Sequence, residues 1–390
     1  MKKNICMILY SLYPYDARPR REAETLVSDP RFSVTVLSLK EHQRPRSYVM
    51  DGVSVQELNV EKYAGSSGVK YIASYLKFAL LAFKACTGLV LKKQVDAIHV
   101  HNMPNFLVFC GLVGRLLGKR LVLDMHDAVP EMFAVKFKMA PGLMFKLLCL
   151  EERICSWMAH RVICVNHVQG DIVLNRGIPS RKLVISMNVP DDRRFPQTAD
   201  FSNPQAAQNG FKMVYHGTIT ERLGIDLAIS SVARLLDRIP GLELHLWGGG
   251  DYLDACLQLA EQLGLEDRVQ FHGRSPVDKL TQKLRGMQLG VVANRKSPAT
   301  ELMLPVKMLE YIALGIPVIA PRLKGVQYYF SDKMVSYFEP EDVDSMEEAI
   351  LRLYNNPALR VSQSAHAHEF LNRYGWDKQR QDFLRLYEDL

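Results

Sequence analysis

The sequence has no C-x-x-C pair and no regular cysteine spacing. Its seven cysteines are odd in number, which argues against a disulfide framework and fits buried thiols in a reducing, cytoplasmic compartment. A secretory leader is not expected. The apolar part of "MKKNICMILYSLYP" is too short and lacks a small-residue cleavage site, so it reads as a first strand. No G-x-S-x-G elbow and no H-E-x-x-H pair is present. No internal repeat or low-complexity tract stands out, and the charges form no tail. A net charge of +7 over 390 residues is modest. An anionic small molecule or an anionic membrane surface accounts for it as well as nucleic acid does, and no nucleic-acid partner is expected.

What is present is a globular composition, 48% hydrophobic and 23% charged, on a chain long enough for two domains of about 150–200 residues each. Short β-rich runs alternate with helical stretches. Strands are expected at 4–10, 33–39, 95–100, 120–124 and 161–165. The pattern restarts at 211–217, 242–248, 269–273, 289–294 and 316–320. Several runs are continuously apolar, as in parallel strands covered on both faces. Strand–helix repetition implies parallel sheets with right-handed crossovers. The fold class is therefore α/β, with two doubly wound, Rossmann-like domains facing across a cleft. Residues 1–190 form the first domain, the proline-bearing polar stretch 191–209 a linker, and 210–365 the second domain. The final stretch, 366–390, reads as an amphipathic C-terminal helix. It either packs back on the first domain as a clasp or completes the second.

Residues 71–91, "YIASYLKFALLAFKACTGLVL", are long enough to cross a bilayer. Lys77 and Lys84 lie on one helical face, and each costs roughly 2.5–3.5 kcal/mol at a bilayer centre. Packing on the sheet is favoured over spanning. A lipid-surface role stays open, because Lys70, Lys77, Lys84, Lys92 and Lys93 cluster there. "KFKMAPGLMFKLLCLEER" (136–153) leans the same way, towards peripheral contact with the inner face of a membrane.

"GLVGRLLGKR" (111–120) is not a phosphate loop. Its glycine spacing is one residue short and Arg120 stands where a magnesium-holding Ser or Thr belongs. "WGGGDYLDA" (247–255) follows a strand and opens a helix, so Gly250 sits where backbone can approach an anion; the other reading is a tight turn. In "YHGTITERLGID" (215–226) a strand ends near Gly217 and Thr218, and Arg222 stands at a helix entrance. A guanidinium there suits a diphosphate, and the alternative is a solvated arginine. Lys307 and Glu310 share one helix face in "LPVKMLEYIALGIPVIA" (304–320). The glutamate either accepts from a ribose diol or pairs with Lys307. His99 and His101 alternate along one strand, but no further ligand lies at metal spacing. "DMHD" (124–127) reads as an acid/base or substrate-contact cluster at a strand end.

"DARPRREAETL" (16–26), "VDAIHVHN", "LVLDMHDAVPE", "LGLEDRVQFHGR" and "LMLPVKMLEYIALGIPVIA" together resemble the family 4 retaining glycosyltransferases of GT-B fold, over nearly the whole chain. The resemblance implies a nucleotide diphosphate sugar as co-substrate, with UDP favoured over GDP, no other cofactor and no metal. It implies a glycan or lipid-linked acceptor in cell-surface polysaccharide or glycolipid synthesis. Glu310 matches the family's second motif glutamate, on the ribose. Position 302, where the first is usual, is leucine, and Glu301 is adjacent. Thr218 takes the place of a clamp arginine and Leu223 that of a lysine, which leaves the diphosphate to Arg222 and Lys307. Backbone at 303–306, including Leu304, Pro305 and Val306, would meet phosphate. Arg274 lies where the base is read. His126 matches the histidine at the sugar–acceptor junction. Asp16, Arg18, Arg21, His101, Asn102 and Asp127 fall on the acceptor side. A sugar-nucleotide epimerase of the same architecture, or an inactive nucleotide-sugar-binding partner, are the alternatives.

Overall fold

The structure is a computed structural model that describes residues 2–41, 44–63, 68–137, 142–198, 201 and 210–390, apart from the side chains of Val277 and Asp278. The chain divides into two units. Unit 1 comprises Met1–Asn188 and Gln379–Leu390, and unit 2 comprises Val189–Lys378.

Unit 1 holds strands β1 (Lys3–Ile8), β2 (Phe32–Leu39), β3 (Ser47–Met50), β4 (Val53–Leu58), β5 (Ala97–His101), β6 (Arg120–Met125), β7 (Arg161–Cys164) and β8 (Leu183–Ile185). They form one sheet in the order β3-β4-β2-β1-β5-β6-β7-β8, parallel throughout except for the β3–β4 hairpin. Its helices are α1 (Ala17–Val27), α2 (Gly68–Leu91), α3 (Leu112–Leu116), α4 (Val129–Lys136), α5 (Leu143–Met158) and α6 (His167–Asn175). Buried Ile8, Leu37, Ile98, Val100 and Leu123 line the sheet side of its core.

Unit 2 holds β9 (Phe211–Thr218), β10 (Leu242–Gly249), β11 (Val269–Gly273), β12 (Leu289–Val291), β13 (Val318–Pro321) and β14 (Ser336–Phe338). The order is β11-β10-β9-β12-β13-β14, all parallel. Its helices are α7 (Ile225–Leu235), α8 (Leu253–Gln262), α9 (Val277–Leu284), α10 (Val306–Ala313), α11 (Lys324–Gln327), α12 (Val343–Tyr354) and α13 (Pro357–Tyr374); α14 (Trp376–Glu388) begins here and ends in unit 1. In both sheets the connections reverse direction about the first strand, between β1 and β5 and between β9 and β12. Ligands of doubly wound sheets bind beyond the carboxyl ends at such a reversal.

All ten expected strands form, with ends shifted by up to three residues. Four others were not expected: β3, β4, β8 and β14. The stretch assigned to a linker is partly structured where it is described. Phe195 is buried and the Thr198 N–H donates to Ala313 O at 2.9 Å; residues 199–200 and 202–209 lie outside the described residues. The final segment is not one helix from 366. α13 ends at Tyr374, Gly375 intervenes, and α14 starts at Trp376. α2 is long and apolar enough to cross a membrane, but one face, with Tyr75, Phe78, Ala82 and Cys86, is buried in the unit 1 core. Packing on the sheet is the reading that the structure carries for that face.

Candidate active site

In unit 2 the side chains gather at the carboxyl end of β9. Gly217 has φ +115°, and a side chain there would meet Lys307 Cε and Nζ at 3.5 Å. The positive φ favours glycine and keeps the strand end open to the lysine. At Gly250 a Cβ would come within 2.0 Å of Ile219 O, so the turn after β10 is held tight against β9. Pro305 stands at the N-cap of α10, a residue preset for a helix start that needs no N–H. This corrects one expectation. Pro305 has no amide hydrogen to give, and the Met303 N–H already donates to Thr300 O at 3.2 Å. The backbone donors left over this stretch are those of Leu304 and Val306.

Lys307 and Glu310 do share a face of α10, but they do not form the ion pair that was one reading of them. The Glu310 carboxylate bonds His216 Nε2. The other nitrogen of that imidazole lies 3.0 Å from the Tyr311 hydroxyl, which also accepts the His216 N–H at 3.0 Å. Lys307 Nζ lies 3.6 Å from the centre of the Tyr215 ring. It is buried and has no hydrogen-bond partner among the described residues. Burial pushes its pKa down to about 7; Glu310 opposes that fall and Arg222 adds to it. Removed from water and beside a second cation, the ammonium is held well short of its usual charge.

Arg222 is half-buried at the turn before α7, with its guanidinium 3.6 Å from Met303 Sδ. Thr218 is exposed at the end of β9, and its carbonyl accepts the Tyr215 hydroxyl. Arg274 is exposed after β11, with Nε 3.5 Å from where a Cβ on Gly249 would lie. Glu301 is engaged elsewhere in unit 2: its carboxylate accepts the Lys324 N–H at 2.9 Å, opening α11, and pairs with Lys296 at 3.6 Å. The structure therefore brings Gly217, Lys307 and Glu310 together, with Arg222 coupled to the lysine. Sequence reasoning missed His216, Tyr215 and Tyr311. The first two come from a strand about 90 residues away and leave no local pattern.

In unit 1 the corresponding place is the carboxyl end of β5 and β6. Register pairs His101 with Asp124. Asp124 is fully buried and receives Arg18 Nε at 3.0 Å and Nη2 at 2.9 Å. Arg18 also donates to Ser186 O at 2.9 Å and lies 3.1 Å from Glu22. His126 Nε2 lies 3.2 Å from Asp124 and 2.9 Å from His101 Nδ1. Asn102 accepts the His126 N–H at 2.7 Å and donates to Asp127 O at 2.9 Å, which fixes the turn carrying both residues. Burial works against the charged form of His126, yet the Asp124 carboxylate prevails and raises its pKa. Burial and the neighbouring His99 push His101 well below its ordinary range. Of the two imidazoles, the one nearer solvent is the more readily charged.

Two expectations change here. Arg18 is not presented to a ligand; both faces of its guanidinium are taken up by Asp124, Glu22 and backbone. Arg21 is likewise buried, its guanidinium 3.5 Å from Met187 O. Asp16 stands half-buried at the N-cap of α1 without capping it. The expectation that no partner lies at metal spacing to His99 and His101 is also corrected. Glu22, His99, His101 and Asp124 each offer a ligand atom within 4.8 Å of the others, all buried. Arg18 already supplies positive charge to both carboxylates, so the donor set does not fit a divalent cation while that guanidinium stays in place.

Comparison with known proteins gives two family matches, one in each half of the chain. The glycosyl transferase 4-like domain matches residues 17–188, and glycosyl transferases group 1 matches residues 210–356. An uncharacterized glycosyltransferase of Methanocaldococcus jannaschii is 21% identical over 97% of this chain and 96% of its own length. A phosphatidylinositol N-acetylglucosaminyltransferase component of Arabidopsis thaliana is 22% identical, covering 80% of this chain and 70% of its own. The chain spans only 19% of an exopolysaccharide phosphotransferase of Streptomyces coelicolor, 27% identical over 48% of this chain. Sucrose-phosphate synthase from Thermosynechococcus elongatus superposes with TM-score 0.79 at 19% identity, over 100% of this chain and 99% of its own. HepE of Anabaena, solved with UDP, superposes with TM-score 0.73 at 14% identity, over the whole of both chains. The fold is that of the GT-B glycosyltransferases.

Proposed function

Because the chain belongs to the family 4 glycosyltransferases of GT-B fold, and is a transferase, we propose that it moves a sugar from a UDP-sugar to a hydroxyl of a glycan or lipid-linked acceptor, with retention at the anomeric carbon. The observation that carries this reading is Lys307: a buried ammonium at the carboxyl end of the switch-point strand, without a hydrogen-bonding anion among the described residues, next to a glycine that leaves room for one. A diphosphate meets that need. UDP in the HepE structure supports the choice of nucleotide.

On this reading the diphosphate sits against Lys307, Arg222 and the first-turn N–H groups of α10, which carry the positive end of the helix. Glu310, oriented by His216, accepts from the ribose diol, and Arg274 and Gly250 lie towards the base and phosphates. Unit 1 receives the acceptor beside His126 and Asp127. As the bond from the anomeric carbon to the phosphate oxygen breaks, the acceptor oxygen bonds to that carbon from the same face, and its proton passes to the departing phosphate. The two cations stabilise the charge that develops on the diphosphate, so the chemistry calls on no divalent ion. Synthesis of cell-surface polysaccharide or glycolipid, in the cytoplasm at the inner face of a membrane, completes the proposal.

A thermal-shift panel of nucleotide diphosphate sugars identifies the donor, because a ligand that binds only the folded state raises its melting temperature. With that donor, Arg222→Ala lowers turnover by several orders of magnitude while the fold persists, and EDTA leaves turnover unchanged. Near wild-type transfer by Arg222→Ala would remove the arginine from the mechanism. Abolition of turnover by EDTA would overturn the metal-free step.

A further inference from the structure

A second basic site lies in unit 1, at the amino ends of β6, β7 and β8, a full strand length from Asp124 and His126. It is a cavity of about 310 Å³ lined by Arg115, Arg120, His160, Arg161, Arg181 and Lys182. Asp389 is the one acidic side chain among its lining residues, and Arg120 Nε already donates to Leu390 O at 2.8 Å. Lys182 donates to the carbonyls of Trp157 and Ala159, both at 2.7 Å, which holds the end of α5 against the cavity. Arg115 Nη1 lies 3.2 Å from His160 Nε2. Burial, with Arg115, pushes the pKa of both Lys182 and His160 down. Positive charge here is undercompensated, and an anion is the complement.

The rim of the cavity is apolar. Leu116 and Leu117 follow Arg115, Trp157 closes α5, and Leu116 and Trp157 are 76% and 69% exposed. Trp157 ends one of two exposed stripes at helical spacing. On α5 the stripe runs Leu143, Leu147, Leu150, Ile154, Trp157. On α2 it runs Val69, Ile72, Leu76, Leu80, Phe83, flanked by exposed Lys70, Lys77 and Lys84. The segment Asn105–Leu116 packs against both helices, so the stripes lie on one side of the sheet. Exposed apolar surface of this extent, edged by cations, marks a lipid or protein interface; lysines beside it and a multi-cation cavity at its edge match anionic headgroups.

We infer that this face of unit 1 lies on an anionic phospholipid surface and that the cavity of Arg115, Arg161 and Arg181 seats one phosphate headgroup. The inference deepens the membrane part of the proposed function and is independent of sugar transfer. Leu116, Leu117 and Trp157 enter the acyl boundary beside the bound headgroup. The docking would give the enzyme a fixed attitude on the surface carrying a lipid-linked acceptor.

The test is co-flotation of the full chain at about 0.15 M salt, where loose charge attraction is screened. It uses phosphatidylcholine vesicles with and without phosphatidylglycerol. Thermal shift with glycerol phosphate reads the cavity separately. Wild type is expected to float at least tenfold more with the anionic vesicles. Arg115→Gln/Arg181→Gln loses both that preference and the thermal shift. Leu116→Ser/Trp157→Ser loses flotation on both vesicles yet keeps the shift, which shows that its fold and cavity are intact. Equal flotation on both vesicles, or undiminished flotation of Arg115→Gln/Arg181→Gln, overturns the headgroup site while leaving membrane contact standing. Wild type that floats with neither vesicle overturns both, and a retained glycerol phosphate shift then assigns the cavity to a soluble phosphate.

Discussion

Lys307 is the residue on which structure and function meet. Its low pKa has a definite sign. Below about pH 7 the ammonium is charged in the folded and the unfolded chain. Between about pH 7 and 10 the unfolded chain keeps a proton that the folded chain has released, so folded stability rises with pH through that window. Glu310 cannot fully neutralise the lysine, since His216 takes its carboxylate. A diphosphate placed beside Nζ would restore the charge. UDP binding at pH 8 is therefore expected to take up close to one proton per site. It should weaken by up to about tenfold per pH unit above 7, since each pKa unit is worth about 1.4 kcal/mol. Calorimetry in buffers of different ionisation enthalpy reads the proton directly. Lys307→Met should abolish the uptake, and uptake that persists in that variant would place the titrating group elsewhere.

At the scale of elements, the parallel strands were legible because they are continuous apolar runs. β3 and β4 were not. β4, "VSVQEL", mixes polar and apolar residues along an outer strand, and β3 is exposed on alternate residues. The one strong signal was Asp51-Gly52, both at positive φ, 49° and 81°, a pair suited to a tight hairpin. β8 and β14 are three residues each, too short for any period to register. The same division runs through the sites. Lys307 and Glu310 lie within one turn of one helix, so their shared face could be read locally. Arg18, His101 and Asp124 meet only through strand register, and that is why Arg18 read as a ligand contact although it is an interior counter-ion. The hairpin offers a direct check. Gly52→Val, at φ +81° with Val27 Cγ2 3.4 Å from the new Cβ, is expected to cost about 1–2 kcal/mol. Gly52→Asn, which tolerates that conformation, should cost less. Urea denaturation midpoints measure both.

At the scale of the molecule, unit 1 is not a continuous piece of chain. Its last twelve residues arrive after the whole of unit 2. They are not loosely attached. Tyr387 is fully buried, its hydroxyl bonds His99 Nδ1, and Lys3 Nζ donates to its carbonyl at 2.7 Å. Its ring stands edge-on to Phe383 at 5.3 Å and to Phe32 at 6.5 Å. The buried charge cluster behind the candidate acceptor residues is thus closed from one side by the end of α14. A chain released without these residues would leave unit 1 with an open face at His99. Tyr387→Ala is accordingly expected to destabilise unit 1 by about 3–5 kcal/mol, the range for deleting a large buried aromatic, and to leave unit 2 unaffected. Hydrogen exchange read by peptide separates the two: faster exchange in β1, β2 and β5, unchanged exchange in β9 to β13. UDP, bound to unit 2 on the proposed reading, should slow exchange around Gly217 and α10 and should not rescue β5, because ligand stabilisation reaches only what unfolds together with the site. If the variant loosened unit 2 to the same degree, or if UDP restored unit 1, the two units would be one cooperative body and α14 would belong to both.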